Sequence, residues 1–194
     1  MEANEILDDV PPSGDNRLDR KVALTVALLA SFMGVCKVKD DNITQGMQQA
    51  QADKIDHWAF YQARNMRQEQ AHTTLLQLRL AALARPAAEQ VGYAAAIDEL
   101  QKLETVQAQK KTEVEAQAKQ DQATYDALNY RDDQFDLSDA TLALALSLLA
   151  LTTLTRQRWL YLVALVPTAV GVFYGTAGLF GLPFHPSWLT GLLS

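Results

Sequence analysis

Three side chains in the middle of the sequence could be metal ligands by type and spacing. Asp53 and His57 are four residues apart, which places them on one face of a helix, and His72 follows further along. Zinc sites take three or four protein ligands, and no third ligand stands close to this pair. We therefore interpret both histidines as surface or helix-seam residues, and we expect neither a metal nor another cofactor.

A run of aspartates near the end of the polar part of the chain could attract a divalent cation. Its members are Asp132, Asp133, Asp136 and Asp139. Carboxylate oxygens suit Ca²⁺ and Mg²⁺, but the run lacks the glycine that turns a calcium-binding loop. A solvated acidic segment is the interpretation that we prefer.

No sequence motif indicates catalysis. The chain has no Gly-rich phosphate loop, no paired-cysteine motif, no His-Glu-x-x-His and no Gly-x-Ser-x-Gly. Cys36 is its only cysteine, so no disulfide can form within the chain. The net charge of −6 comes without a cluster of lysine and arginine, which argues against nucleic acid as a partner. We expect a protein that is not an enzyme.

Three segments without charge indicate an integral membrane protein. They are residues 22–36, 140–155 and 159–180. The first is shorter than the roughly 20 residues that span a bilayer, but Lys21 and Lys37 at its ends can extend toward water and lengthen the span. Only Arg156, Gln157 and Arg158 separate the other two segments, which predicts a tight transmembrane hairpin.

Flanking residues predict where these segments end. Ser138 followed by Asp139 predicts a helix N-cap before the second segment. Pro167 predicts a kink inside the third segment. Residues that favour the membrane interface lie near both ends of the third segment, namely Trp159, Tyr161, Phe184, His185 and Trp188.

The distribution of basic residues predicts the orientation. A short loop with Arg156 and Arg158 should stay in the cytoplasm under the positive-inside rule. The N-terminus is then cytoplasmic, and the polar middle lies on the periplasmic side. Basic residues also flank that outer side, which weakens the contrast; they are Lys37, Lys39 and Arg131.

The predicted fold is all-α: three transmembrane helices, with a long antiparallel coiled-coil hairpin between the first and the second. Its segments are a polar tail (1–20), the first membrane helix (21–38), the extramembrane hairpin (39–136, with helices at 41–84 and 86–129), the paired membrane helices (137–182) and an interfacial tail (183–194).

Small residues in the membrane segments recur at four-residue intervals, a spacing that lets helices approach closely. The candidates for such packing are Ala27, Ser31, Gly34, Ser147, Gly171 and Gly175. Small residues are also common in membrane helices that do not use them in this way. The spacing leaves open whether the contacts lie within one chain or between chains.

The middle of the chain predicts two long helices, because it is rich in helix-forming residues and Pro86 is its only proline. Polar positions such as Gln62, Asn65 and His72 either fix the register of the hairpin or face helices of other protomers, and we prefer the second. Apolar residues form a diluted stripe on each helix: Ile55, Trp58, Leu76, Leu80 and Leu83, then Tyr93, Ile97, Leu100, Leu103, Val114, Tyr125 and Leu128.

Trp58, Phe60 and Tyr61 are adjacent aromatic residues that cannot all face one seam of a helix. With Gln62 and Arg64 they are our candidate interaction residues, for a contact between protomers or for a docking partner. Packing inside the hairpin is the alternative, and Trp58 fits that alternative best because it belongs to the apolar stripe.

Residues 53–68 resemble part of a known family. They read Asp-Lys-Ile-Asp-His-Trp-Ala-Phe-Tyr-Gln-Ala-Arg-Asn-Met-Arg-Gln, and residues 58–64 resemble the motif of the bacterial domain-of-unknown-function 4337 family. Members of that family are similar in plan over nearly the whole chain, with one early membrane helix, a Gln-rich helical middle and two closing membrane helices. The resemblance implies a bacterial inner-membrane protein, and it implies no activity and no catalytic residue.

The sequence favours a membrane-anchored scaffold that self-associates or accompanies an envelope complex. Its partners would be the lipid bilayer, further copies of the chain as a homo-oligomer, and another protein. The alternative is a sensory or accessory subunit that binds a ligand or partner through the hairpin. A third hypothesis is an oligomeric channel, whose pore would be hydrophobic because the membrane segments are uncharged.

Overall fold

The computed structural model describes residues 16–184, which form three α-helices and no strand. Helix α1 spans Asn16–Leu83, α2 spans Ala87–Thr155 and α3 spans Arg158–Phe180. The predicted all-α class is confirmed for this part of the chain. Most of the two predicted tails, with His185 and Trp188, lies outside the described residues.

Helix α1 is continuous where the sequence suggested a membrane helix followed by a separate hairpin helix. Residues 37–42 contain neither glycine nor proline, so nothing in them forces a break. The Lys37 ammonium pairs with the carboxylates of Asp40 at 2.8 Å and Asp41 at 3.6 Å, one turn further along. Pairs at this spacing stabilise a helix, which lets α1 run through the polar segment.

Helix α2 is continuous in the same way, and the predicted N-cap at Ser138 is wrong. Ser138 lies in the interior of α2 and is buried. Its hydroxyl donates a hydrogen bond to the main-chain carbonyl of Gly171 in α3, at 2.8 Å. A serine that precedes an apolar segment looks the same in sequence whether it caps its own helix or bonds to another.

The two breaks between the described helices lie where the sequence predicts them. Helix α1 ends at Leu83 and α2 begins at Ala87, just after Pro86, which cannot continue a helix. Helix α2 ends at Thr155, and Arg156 adopts a left-handed φ of 53° that turns the chain toward α3.

Helix α3 ends in a glycine cap. Gly181 has a φ of 64°, a conformation that favours glycine, and its N–H bonds to the carbonyl of Ala177. Pro167 lies inside α3, and the kink that it suggests stays a prediction.

Each of the three helices contains a segment long and apolar enough to cross a membrane, judged by length and composition. In α3 this segment is the whole helix, whereas in α1 and α2 it is one part of a much longer helix. The number of such segments agrees with the three apolar segments found in the sequence.

The helices divide into two units. One, the three-helix unit, lies within Met1–Gln45 and Leu128–Ser194, and the other, the two-helix unit, is Gly46–Ala127. The three-helix unit has an apolar core of Leu18, Val22, Leu29, Leu142, Ala145, Leu149 and Ala164. The two-helix unit buries fewer and smaller apolar side chains, namely Met47, Ala50, Ala71, Leu75 and Ala118.

Candidate functional site

The seam between α1 and α2 in the two-helix unit is lined by polar pairs. Asn65 and His72 bond to residues of α2, contrary to our preferred interpretation that they face other protomers. Gln62 is exposed. The pairs are Lys54 with Gln122 (2.9 Å), His57 with Asp121 (2.6 Å), Arg64 with Gln107 (3.2 Å), Asn65 with Lys111 (3.1 Å) and His72 with Glu104 (3.0 Å).

The three adjacent aromatic residues face different surfaces. Tyr61 is half-buried, and the Lys111 ammonium lies 5.9 Å from the centre of its ring. Trp58 packs edge-on against Tyr61, with 5.3 Å between ring centroids, but remains 38% exposed. Phe60 is 59% exposed, two residues from Trp58 and therefore about 200° further around the helix. Trp58 is thus not a buried core residue of this unit.

The apolar stripe predicted on α1 is exposed. Met66, which the prediction did not include, is exposed on the same face. We call the whole set the outer stripe; its residues are Ile55, Trp58, Met66, Leu76, Leu80 and Leu83, whose exposed fractions run from 38% to 80%. At 100° per residue they fall within an arc of about 100° on one face of the helix. A single chain therefore places polar pairs in the seam of this unit and leaves the apolar stripe of α1 uncovered.

The small residues predicted to pack helices divide into two groups. Gly171 and Gly175 are buried in α3: a Cβ built on Gly171 would lie 2.6 Å from Leu142 Cγ, and one on Gly175 would lie 2.7 Å from Phe32 Cε1. These glycines therefore permit close contacts within the chain. The other four are exposed, and a Cβ on Gly34 would meet nothing within 4 Å; they are Ala27, Ser31, Gly34 and Ser147.

Two polar residues of α2 bond to the last turn of α3 and to the residues that follow it, and neither contact was predicted from the sequence. Gln134 is fully buried, and its Nε2 donates to the carbonyls of Leu182 and Phe184, each at 2.8 Å. Arg131 Nη2 donates to the carbonyl of Gly178 at 2.8 Å. Gly178 lies in the last turn of α3, where carbonyls lack partners within the helix, so Arg131 satisfies one of them. Leu182 and Phe184 follow the helix, so Gln134 holds the segment after α3. No local sequence pattern around Gln134 or Arg131 predicts these contacts.

The acidic run has one buried neighbour on α1. Asp40 is buried, and its Oδ1 has no hydrogen-bond partner while Oδ2 accepts from Lys37. Asp132 accepts a hydrogen bond from the Thr44 hydroxyl at 3.2 Å. Partial burial, then the negative charges of Asp136 and Asp40, raise the pKa of Asp132 to about 6. A proton on Asp132 would let this carboxyl donate to Asp40.

No arrangement among residues 16–184 brings together three or more His, Cys, Asp or Glu side chains that could hold a metal ion. Asp53, considered above with His57, accepts a hydrogen bond from Gln49 at 2.8 Å. His57 is instead paired with Asp121 across the seam. The side chains that the sequence placed near each other thus have different partners.

Comparison with known proteins identifies one matching protein family. The model of the family described as "Domain of unknown function (DUF4337)" matches residues 18–181. Neither the search of curated proteins nor the search of solved structures gave a match.

Proposed function

The chain belongs to the DUF4337 family, a family of unknown function, and we propose that it is a membrane-anchored helical scaffold that self-associates in the bacterial inner membrane. No catalysis is part of this proposal. The N-terminus would be cytoplasmic and the two-helix unit periplasmic, as the arginines of the 156–158 loop favour.

Exposed apolar side chains in the three-helix unit support the membrane anchor. Large apolar residues on all three helices lie at its surface, where water would disfavour them and lipid chains would cover them. Examples are Leu24, Leu28 and Val35 on α1, Leu144, Leu151 and Leu154 on α2, and Leu162, Val166 and Phe173 on α3.

The order of the polar pairs supports an antiparallel hairpin in the two-helix unit. Lys54, early in this part of α1, bonds to Gln122, whereas His72, later in α1, bonds to Glu104. Residues further along α1 thus pair with residues earlier in α2. Polar partners at matched positions along a helical seam fix its register.

The outer stripe carries the proposal of self-association. A two-helix unit normally gains stability by burying its apolar stripe in its own seam. Here polar pairs line the seam, and most of the few buried apolar side chains are alanines. Polar seams specify register and contribute little apolar burial. Covering the outer stripe with the same stripe of further copies would supply that burial, and apolar patches of this kind mark interaction surfaces.

The proposal is tested by native mass spectrometry of the chain in mild detergent. We expect a homo-oligomer for the wild type and a smaller species for the double variant Met66→Glu/Leu80→Glu, since each new carboxylate would be buried without a partner in the assembly. The matched control is Ala63→Glu/Ala81→Glu, which adds the same charge at exposed positions of α1 outside the outer stripe. It should keep the wild-type mass.

Two results would contradict self-association through this stripe. One is a monomeric wild type, and the other is an equal loss of mass in the test and control variants. A monomer or dimer that purifies with another protein would instead favour the accessory or sensory subunit, in which the outer stripe receives a different partner.

Orientation is tested separately. Because Cys36 is the only native cysteine, one substitution gives a cysteine-free background. In a Cys36→Ser background, a cysteine replaces exposed Ala81, and intact cells with a permeabilised outer membrane are treated with an impermeant maleimide. Labelling before lysis would support a periplasmic two-helix unit. Labelling only after lysis would place that unit in the cytoplasm.

A further inference from the structure

A cavity of about 410 Å³ opens in the three-helix unit between the beginning of α1 and the beginning of α3. We call it the basic cavity. Its lining consists of Arg17, Leu18 and Lys21 from α1 and of Arg158, Tyr161 and Leu162 from α3. Three of these six side chains are cationic and none is acidic, so the lining itself is positively charged.

A hydrogen-bond relay holds the wall of the basic cavity in place. The Thr25 hydroxyl donates to the Lys21 carbonyl at 2.9 Å, so its own proton is used. The contact of 3.2 Å between the Thr25 and Tyr161 hydroxyls must then take its proton from Tyr161. This bond links α1 to α3 beside the cavity and keeps the Tyr161 ring in the lining.

The start of α3 also favours an anion. Its N-cap residue, Gln157, makes no side-chain hydrogen bond to the first-turn N–H groups, so those groups are not satisfied by a side-chain cap. A helix N-terminus favours anions, and Arg158 and Tyr161 belong to this first turn. The charged side chains and the helix end therefore act in the same direction.

The surroundings of the basic cavity suit a ligand that is partly apolar. Leu18 is buried beneath it, whereas Leu162 is 65% exposed at its edge. Trp159, next to Arg158, is also exposed and its indole N–H donates to Gln157. Exposed tryptophan and leucine next to arginine and lysine are typical of the level at which lipid headgroups lie.

We propose that the basic cavity binds the phosphate group of an anionic phospholipid, with Arg17, Lys21 and Arg158 as the cationic partners and the acyl chains along Leu162. This inference rests on the membrane anchoring proposed above. The basic cavity, at about 410 Å³, is larger than a lone phosphate ion needs. The phosphate chemistry is shared with free inorganic phosphate, and the apolar edge favours the lipid.

The test compares lipid retention by native mass spectrometry in mixed micelles of phosphatidylglycerol and phosphatidylcholine. The test variant is Arg17→Gln/Arg158→Gln, and Lys21→Gln is a milder second variant at an exposed position. The control is Arg20→Gln/Arg156→Gln, which removes the same charge near the same helix ends but outside the lining. We expect wild type and control to retain phosphatidylglycerol preferentially, and the test variant to lose about tenfold in that preference.

Three outcomes would overturn the lipid site. They are equal retention of both lipids by the wild type, equal losses in the test and control variants, and a thermal stabilisation by inorganic phosphate alone that matches the effect of phosphatidylglycerol. Flotation with vesicles of both lipids separates this inference from the proposed function. A chain that floats but shows no lipid preference keeps its anchor and loses the site, whereas a chain that does not float loses both.

Discussion

The Ser138 hydroxyl of α2 donates a hydrogen bond to the main-chain carbonyl of Gly171 in α3, at 2.8 Å. A side chain on one helix reaches the backbone of another only where that backbone carries little bulk. Gly171 and Gly175 are such positions on α3, because they have no side chain. A Cβ added to Gly175 would lie 2.7 Å from Ser138 Oγ. The helices of the three-helix unit are therefore in contact through glycine backbone.

Gly175→Leu should strongly destabilise the three-helix unit. Even its Cβ would lie 2.7 Å from the Phe32 ring and from Ser138 Oγ, so the larger leucine must push α3 away from both neighbours. Overpacking of this kind costs about 1–3 kcal/mol, and a loss of the Ser138 bond would add to it. Thermal unfolding in detergent should show a melting temperature lower by at least about 5 °C.

Gly34→Leu is the matched control. A Cβ there meets nothing within 4 Å, and leucine has the higher helix propensity. Its melting temperature should equal or exceed that of the wild type. Similar destabilisation by both substitutions would argue against close packing as the special role of Gly175.

The two breaks between the described helices could be predicted from the sequence, because local features determine them, whereas the five predicted helices are three in the structure. Pro86 ends the first long helix, and the Arg156 to Arg158 interruption separates two apolar segments. The continuity of α1 and α2 could not be predicted in the same way. Polar residues around Asp40 and Ser138 mark a change of environment along a helix, and in a sequence such a change looks the same as the end of one helix and the start of another.

The surface that each side chain faces could be predicted only in part. The spacing of Ile55, Leu76 and Leu80 correctly indicated one helical face, but spacing does not say which face meets α2. The polar pair of His57 with Asp121 occupies that seam instead. Contacts such as those of Gln134 with the residues that follow α3 depend on tertiary packing and have no local pattern that could have revealed them.

Asp132 should make the stability of the three-helix unit depend on pH. Its pKa is raised from 3.8 to about 6 by partial burial and by Asp136 and Asp40, so the folded state binds its proton more tightly than the unfolded state. The resulting stabilisation is fully present below pH 3.8 and is lost as pH rises through about 6. Thermal unfolding of the wild type in detergent should show this loss between those values.

Asp132→Asn should remove that component, because the amide is neutral at every pH and its oxygen can still accept from Thr44. We expect a higher melting temperature than wild type above pH 6 and a flatter profile. Asp56→Asn, at an exposed position of the two-helix unit, serves as the control and should leave the profile unchanged. A wild-type profile in the Asp132 variant would show that this carboxyl is not the titrating group.

His57 and Asp121 should be energetically coupled more strongly than His72 and Glu104. The first pair lies at 2.6 Å with both side chains less than a third exposed, whereas the second lies at 3.0 Å with the histidine half exposed. Double-mutant cycles with alanine cancel the helix propensity of the new residue and isolate the pair. We expect a coupling of about 1–2 kcal/mol for the first pair and below about 1 kcal/mol for the second.

Urea unfolding followed by circular dichroism measures these cycles. Equal coupling in the two pairs would mean that burial in the seam adds nothing, and the assignment of His57 as a register-fixing residue would fail. The comparison is internal, since both pairs join the same two helices.

Photocrosslinking should distinguish the three adjacent aromatic positions. Trp58 lies on the outer stripe, Phe60 is more exposed but on another face, and Tyr61 is turned toward Lys111 of α2. A photoreactive phenylalanine analogue at each position shows whether crosslinking depends on how exposed the side chain is or on which face of α1 it occupies. If copies meet through the outer stripe, position 58 should give crosslinked dimers, position 60 few, and position 61 mainly links within the chain. Phe60 has a larger exposed fraction than Trp58, so chance collisions between copies would give most dimers at position 60. That result would reject the outer stripe as the interface.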